Sequence, residues 1–160
     1  MAKKIFLFGA VLFAGLIAGG QYLVWWDYDP AGVAPAFYVE RIQYAIKVIG
    51  LPLFSVQITA AVFTIISAIL RRRERPAFYL LIGTSVLCVI GVLLTFFGNI
   101  PLLNIMATWT ASSPPADWYD VARKWWLIHN VRFAIQLTAF ILLILTAQTN
   151  ATRLDADLSQ

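Results

Sequence analysis

Four apolar segments dominate the chain, and each is long enough to cross a lipid bilayer as a helix. They cover residues 5–24, 45–70, 77–98 and 127–147. A membrane-spanning helix needs about 20 apolar residues, whereas a strand of a membrane barrel has about ten residues of alternating polarity. Because no such alternation is present, the segments predict an all-α, polytopic membrane protein.

The composition indicates that the apolar segments are in contact with the lipid bilayer. Hydrophobic residues make up 61% of the chain and charged residues only 12%, whereas about a quarter of a soluble domain is charged. The net charge of +4 does not predict a nucleic-acid partner, because the basic residues cluster at the predicted membrane edges.

The basic residues also predict the orientation. Lys3 and Lys4 precede the first segment, and an arginine-rich turn over residues 71–75 separates the second from the third. Positively charged loops stay in the cytoplasm, so we expect both termini there. A cleaved signal peptide is the alternative for the first segment, whose length favours a retained helix.

The expected architecture is a single domain over residues 1–160, an antiparallel bundle of four transmembrane helices. We place the helices at about 5–24, 40–70, 77–98 and 117–147. The short arginine-rich turn makes the second and third helices neighbours. We expect Pro52 to kink the second helix and Pro101 to end the third.

Polar residues inside the apolar segments predict a pocket. At 100° per residue, one stripe of the fourth helix holds Trp118, Trp125, His129, Arg132 and Gln136, within an arc of roughly 60°. Polar groups in lipid are costly and need a partner or a purpose. The polar residues expected at the outer ends of the helices are Gln21, Glu40, Tyr44, Lys47, Asn99, Asn104, His129 and Arg132. We therefore expect a polar pocket near the outer membrane interface.

Several of these residues belong to motifs of a known family. The runs "NIPLLN", "ARKWW" and "HNVR", with Trp109 and Trp118 between them, resemble the anthrone-oxygenase-like integral membrane proteins. Trp125, His129 and Arg132 match the family element W-x(3)-H-x(2)-R. An Asn-x-Pro-x-Asn element is matched with one additional residue before its second asparagine. The resemblance covers mostly residues 95–145 and implies a small four-helix protein, multi-pass in the inner membrane of a bacterium.

The resemblance implies an oxygenase that acts on a lipophilic aromatic molecule of the anthrone or quinol type. In this hypothesis His129 is a general base, while Arg132 and Asn99 hold the resulting oxyanion. The expected substrate-binding residues are Trp125, Asn104, Gln136, Tyr44 and Gln21. With one histidine, one cysteine and no acidic cluster in the membrane, the chain predicts neither a metal site of ordinary type nor a cofactor.

Other interpretations remain open. His129 is also consistent with a packing role, hydrogen-bonded to Asn99 or a backbone carbonyl, or with a metal or haem ligand shared between subunits of a homo-oligomer. Arg132 is also consistent with a salt bridge to Glu40 or with a side chain that reaches the interface. The alternative function is a non-catalytic accessory subunit of a larger redox or photosynthetic membrane complex, holding a lipid, quinone or pigment.

Overall fold

Four long apolar helices form the membrane-spanning part of the molecule. The computed structural model describes residues 1–158, and describes their side chains up to residue 149. Its elements are α1 (Ala2–Asp27), α2 (Pro35–Val48), α3 (Gly50–Leu70), α4 (Arg75–Leu93), a π-helical segment (Leu94–Asn99), α5 (Ile100–Met106) and α6 (Trp118–Leu158). Within the described residues, four helices are long and apolar enough to cross a membrane: α1, α3, α4 continued through α5, and α6. The predicted all-α membrane class is confirmed.

The spanning helices pack as a ring. Helix α1 contacts α3 and α6, and α4 contacts the same two helices from the other side. Small side chains fill the contact surface of α1, where Ala10, Ala14 and Ala18 are buried. Lipid offers no hydrophobic driving force between helices, so close backbone approach at small residues stabilises the bundle. The expected contact between the second and third spanning helices is present.

The second segment is divided where one helix was expected. The helix expected over residues 40–70, with a kink at Pro52, is interrupted at one residue: α2 ends at Val48 and α3 begins at Gly50. Ile49 keeps a right-handed helical backbone and still donates its N–H to the carbonyl of Ala45. Proline has no N–H, and its ring collides with the carbonyl four residues earlier. The break therefore precedes Pro52, which lies in the first turn of α3, where an N–H would lack a partner in any case.

The third segment continues where an end was expected. Pro101 does not terminate it, because the π-helical segment over residues 94–99 leads directly into α5, which reaches Met106. A π turn accommodates an additional residue within the helix. This places Pro101 in the first turn of α5, where its missing N–H is tolerated. The fourth helix begins at Trp118, one residue after the expected start.

One end of the bundle is closed by an apolar cluster, which we call the aromatic cap. Its buried members are Tyr28, Tyr38, Val39, Ile42, Met106, Trp109, Ala122 and Trp125. Helix α2 joins this cap through Arg41, which pairs with Asp27 and lies 4.9 Å from the centre of the Tyr28 ring. Gln43 donates a hydrogen bond to the carbonyl of Trp109.

The opposite end is held by three charged residues. Glu74 accepts hydrogen bonds from Lys3 at 2.6 Å and from Arg71 at 2.7 Å, which ties the start of α1 to the turn between α3 and α4. Partial burial raises the pKa of Glu74, but the hydrogen bonds and charges of Lys3 and Arg71 outweigh it and lower the pKa below its ordinary value.

Candidate functional site

The polar stripe of α6 faces the inside of the bundle. His129 has no exposed surface, Arg132 is 7% exposed, and Trp125 and Gln136 are also buried. Trp118, at the start of the helix, is only partly buried. The ring of Trp125 stacks on that of His129, with centroids 5.5 Å apart. The helical periodicity therefore identified the buried face of this helix correctly.

His129 is held at both ring nitrogens. Its Nε2 lies 3.0 Å from the backbone carbonyl oxygen of Gln21, which can only accept a hydrogen bond. Its Nδ1 lies 3.0 Å from Nη2 of Arg132, and a guanidinium can only donate. The imidazole is therefore the tautomer with hydrogen on Nε2 and a lone pair on Nδ1. This ring joins α6 to α1 and orients Arg132.

Arg132 continues the chain of hydrogen bonds to α3. Its Nη1 donates to the hydroxyl of Thr95 over 2.8 Å. The hydroxyl of Thr95 lies 2.9 Å from the amide oxygen of Gln57 and 2.9 Å from the carbonyl of Gly91. Residues from five elements thus form one polar network: α1, α3, α4, the π-helical segment and α6.

In the part of the chain whose side chains are described, no carboxylate forms an ion pair with Arg132. Among the described residues, the ion pairs involve Lys3, Arg41 and Arg71 on the basic side. The expected alternative partner Glu40 lies exposed on α2, so the interpretation of an Arg132–Glu40 salt bridge is wrong. A charged side chain at the centre of a membrane helix costs about 2.5–3.5 kcal/mol even on the lowest scales.

A cavity of about 300 Å³ lies against this network. Its polar walls come from Gln57, Thr95, Arg132 and Asn104, and Trp125 and Tyr28 add aromatic surface. The remaining lining is aliphatic apart from one phenylalanine and a glycine: Ile17, Val24, Ile42, Ala45, Ile46, Ile49, Gly50, Leu51, Leu53, Phe54, Ile100 and Leu103. An apolar cavity with a few convergent polar groups is typical of a small-molecule site.

The unpaired polar atoms that are buried in the cavity walls are donors. Nε2 of Gln57, Nε1 of Trp125 and Nε of Arg132 have no hydrogen-bond partner among the described residues. The acceptors of the same wall, Oε1 of Gln57 and Oγ1 of Thr95, are already engaged. Burial, and secondarily the neighbouring Tyr44, raises the pKa of Tyr28, so its phenol also stays protonated. The cavity therefore fits a ligand with an acceptor oxygen.

Three predicted site residues lie in the polar interior without lining the cavity. Gln21, Asn99 and Gln136 are each at most 1% exposed, and the amide atoms of all three side chains are unpartnered within the described part of the chain. His129 is likewise absent from the cavity lining and lies behind Arg132.

Of the remaining polar residues that were expected in the pocket, one lines the cavity and three do not. Asn104 lines the cavity although it is exposed. Tyr44 is 64% exposed and lies outside the cavity lining, and Glu40 and Lys47 are exposed as well. The expectation that these three meet the other polar residues in one pocket is wrong, because α2 turns them outward.

Sequence reasoning missed the roles of Gln57 and Thr95. Gln57 is an isolated amide in the apolar run of α3, and Thr95 lies four residues before Asn99 on the same helical face. These positions were visible in the sequence, but neither residue carries a charge that would have singled it out. Only the packing of α3 against α4 and α6 brings them to Arg132.

The fold and site define a polytopic membrane protein whose helix bundle surrounds a buried polar network beside an apolar cavity. Within this class the chain belongs to the anthrone oxygenase family, whose model matches residues 42–142. That match contains α3, the π-helical segment and the stripe of α6 that build the site. No curated protein and no solved structure matches the chain.

Proposed function

We propose that the cavity binds a lipophilic aromatic molecule of the anthrone or quinol type and that the protein oxygenates it. The main support for this proposal is the position of Arg132. Its buried guanidinium lines an apolar cavity and has no carboxylate partner in the described chain. Such a charge stabilises an anionic oxygen far better in a low-dielectric site than in water.

The chemistry follows from the acidity of such a molecule. When an anthrone loses a proton from its methylene carbon, the negative charge is shared with the ketone oxygen, and Arg132 would bind that oxygen as it becomes anionic. The carbanion reduces O₂ and bonds to one of its oxygen atoms, and the peroxide then takes up the proton that was removed from the methylene carbon. The resulting hydroperoxide loses water to give a second carbonyl, so that anthrone and O₂ yield anthraquinone and water.

His129 is our proposed acceptor of the methylene proton. In the present arrangement its Nδ1 lone pair is occupied by Arg132. When Nη2 of Arg132 turns to the ligand oxygen, that lone pair becomes free. Because His129 does not line the cavity, the proton would travel to Nδ1 through a water molecule between the ligand and the ring. Until then His129 serves to orient Arg132. Ligand binding and activation of the base would in this way be coupled through one hydrogen bond.

The proposed route of the ligand is lateral, from the lipid. At the rim of the cavity, Ile49 is 36% exposed and Leu51 is 76% exposed, beside the break between α2 and α3. An apolar rim in a membrane protein suits a ligand that is dissolved in the bilayer. The positive-inside rule assigns the arginine-rich turn to the cytoplasmic side. The cavity lies at the opposite end of the bundle and would therefore open to the outer leaflet.

Oxygen uptake tests the proposal. We expect the purified protein to consume O₂ with anthrone and to produce anthraquinone in equal amount. Arg132→Met keeps a long, flexible side chain without charge, and we expect it to lower the rate by roughly 10²-fold or more. Arg123→Met is the matched control, because Arg123 lies exposed on the same helix. Equal rates in the wild type and Arg132→Met, with both folded, would remove Arg132 from the chemistry.

A further inference from the structure

Gln57 is a buried amide with an unsatisfied end. It is 2% exposed, in the middle of a membrane-spanning helix. Its Oε1 lies within hydrogen-bond distance of Thr95, while its Nε2 has no partner among the described residues. An unsatisfied polar group inside a bilayer costs several kcal/mol. Since Gln57 also lines the cavity, a bound molecule can provide the missing acceptor.

Thr95 determines which end of that amide is free. A guanidinium has only donors, so the contact of Arg132 Nη1 uses the Thr95 hydroxyl as an acceptor. The single hydroxyl proton is then shared between two acceptors, Oε1 of Gln57 and the carbonyl of Gly91, each 2.9 Å from the hydroxyl. The direction of donation runs from Arg132 through Thr95 to Gln57. This order holds the amide oxygen of Gln57 and leaves its N–H group for the cavity.

The geometry points to Gln57 as a second ligand-binding residue, whose amide Thr95 orients so that the site selects ligands with a neutral acceptor oxygen. This inference rests on the proposed use of the same cavity. It adds a donor that discriminates a ketone from a hydrocarbon of the same shape, separately from the charge of Arg132. Thr95 acts through Gln57 and Arg132 and is a positioning residue.

Two probes of nearly identical ring shape test this inference, anthraquinone with carbonyl oxygens and anthracene without them. Their affinities are measured by equilibrium dialysis of the purified protein in detergent, with protein-free micelles as the background. We expect Gln57→Leu to weaken anthraquinone binding by roughly 3- to 10-fold, the loss of one neutral hydrogen bond. Anthracene binding should change by less than about twofold, since it has no acceptor for that donor.

Variants of Thr95 separate orientation from packing. Thr95→Val keeps the shape but removes the hydroxyl, and we expect it to lower the affinity for anthraquinone relative to anthracene. Thr95→Ser restores the hydroxyl and should restore that ratio. Thr138→Val is the matched control, because Thr138 is exposed on α6 and bonds only its own helix at Ala134.

Gln57→Glu gives a signature that a purely structural role would not give. It places a carboxylate one hydroxyl away from Arg132, which has no carboxylate partner among the described residues. We expect a higher Tm together with anthraquinone affinity that is lower by roughly tenfold or more, because the new acceptor repels the ligand oxygen and pairs with Arg132.

The outcomes distinguish this inference from the proposed function. Equal weakening of both probes by Gln57→Leu, or a Thr95→Ser variant as poor as Thr95→Val, would overturn the roles of Gln57 and Thr95. If Arg132→Met still abolishes anthrone oxygenation in that case, the proposed function stands without them. If the wild type binds neither probe above the micelle background, both proposals fail.

Discussion

Arg132 and His129, one helical turn apart on α6, are joined by a hydrogen bond of 3.0 Å in which Nη2 donates to Nδ1. The bond fixes the tautomer of the imidazole, because the opposite nitrogen donates to the carbonyl of Gln21. It also explains how two polar side chains can occupy one membrane helix: each satisfies part of the hydrogen bonding of the other. The proposed reaction requires this bond to open.

Substitution of His129 separates orientation from proton transfer. In His129→Gln, the amide oxygen can still accept from Arg132, so we expect affinity for a hydroxyanthraquinone to stay within about threefold of the wild type. A neutral amide cannot take a proton, and we expect O₂ uptake with anthrone to fall by roughly 10²-fold. His129→Ala should lose both properties. Unchanged O₂ uptake in His129→Gln would show that another group accepts the proton.

Two glycines of α4 differ in what surrounds them. A methyl group added at Gly91 would collide with the amide of Gln136 and lie 3.3 Å from Nε2 of Gln57, whereas Gly83 has open space around it. We expect Gly91→Ala to be less stable than a substitution at an open glycine, because the ends of both glutamine side chains must shift within a packed interior, and to weaken anthraquinone binding by displacing Gln57.

Gly83→Ala is the matched control for that variant. Alanine is favoured over glycine inside a helix by about 0.5–1 kcal/mol, so its stability should match or slightly exceed that of the wild type. Denaturation in mixed micelles, monitored by circular dichroism, measures the stability of both variants. Equal stability of the two variants would contradict the tight packing of Gly91 against the glutamines.

The ion pairs of Glu74 with Lys3 and Arg71, here called the triad, predict that the stability of the protein depends on pH. The pKa of Glu74 is lowered in the folded protein, so the triad contributes stability above the ordinary value of 4.5 and loses it as the pH falls through the folded pKa. We expect Glu74→Gln to have a Tm a few degrees below the wild type at neutral pH, consistent with roughly 0.5–1 kcal/mol for partly exposed pairs.

The difference in Tm should shrink as the pH falls below about 4.5 and the carboxyl of the wild type becomes protonated. Glu40→Gln is the control, because Glu40 is exposed and forms no ion pair among the described residues. A Tm difference for Glu74→Gln that does not change with pH would contradict the contribution of the triad.

The sequence predicted the fold class because lipid imposes strong rules on composition. Segment length and charge placement indicated four spanning helices, and the 3.6-residue period located the buried face of α6 from Trp125 to Gln136. The break at Ile49 and the π-helical segment before Asn99 were not predictable to the residue. A proline in the sequence implies that one backbone hydrogen bond is missing. It does not indicate whether the helix kinks, is interrupted or forms a wider π turn.

The site was predictable only in part, for a related reason. Charged or ring-bearing residues such as His129 and Arg132 stand out in an apolar run, so the pattern identified them. Gln57 and Thr95 acquire their importance from contacts across helices, which depend on packing. Tyr44 was misplaced because α2 is a separate helix, so the face it shares with Glu40 and Lys47 does not continue the inner face of α3.

The absorption spectrum of a bound hydroxyanthraquinone, whose phenol and phenolate differ in colour, tests directly whether Arg132 binds an anionic oxygen. At a pH below the pKa of the free dye, we expect the wild type and the Arg123→Met control to bind it with the spectrum of the phenolate, because Arg132 stabilises the anion. Arg132→Met should bind it weakly and as the neutral phenol. If the wild type instead binds the neutral dye, with the same affinity as Arg132→Met, Arg132 does not hold an anionic oxygen and the central claim is wrong.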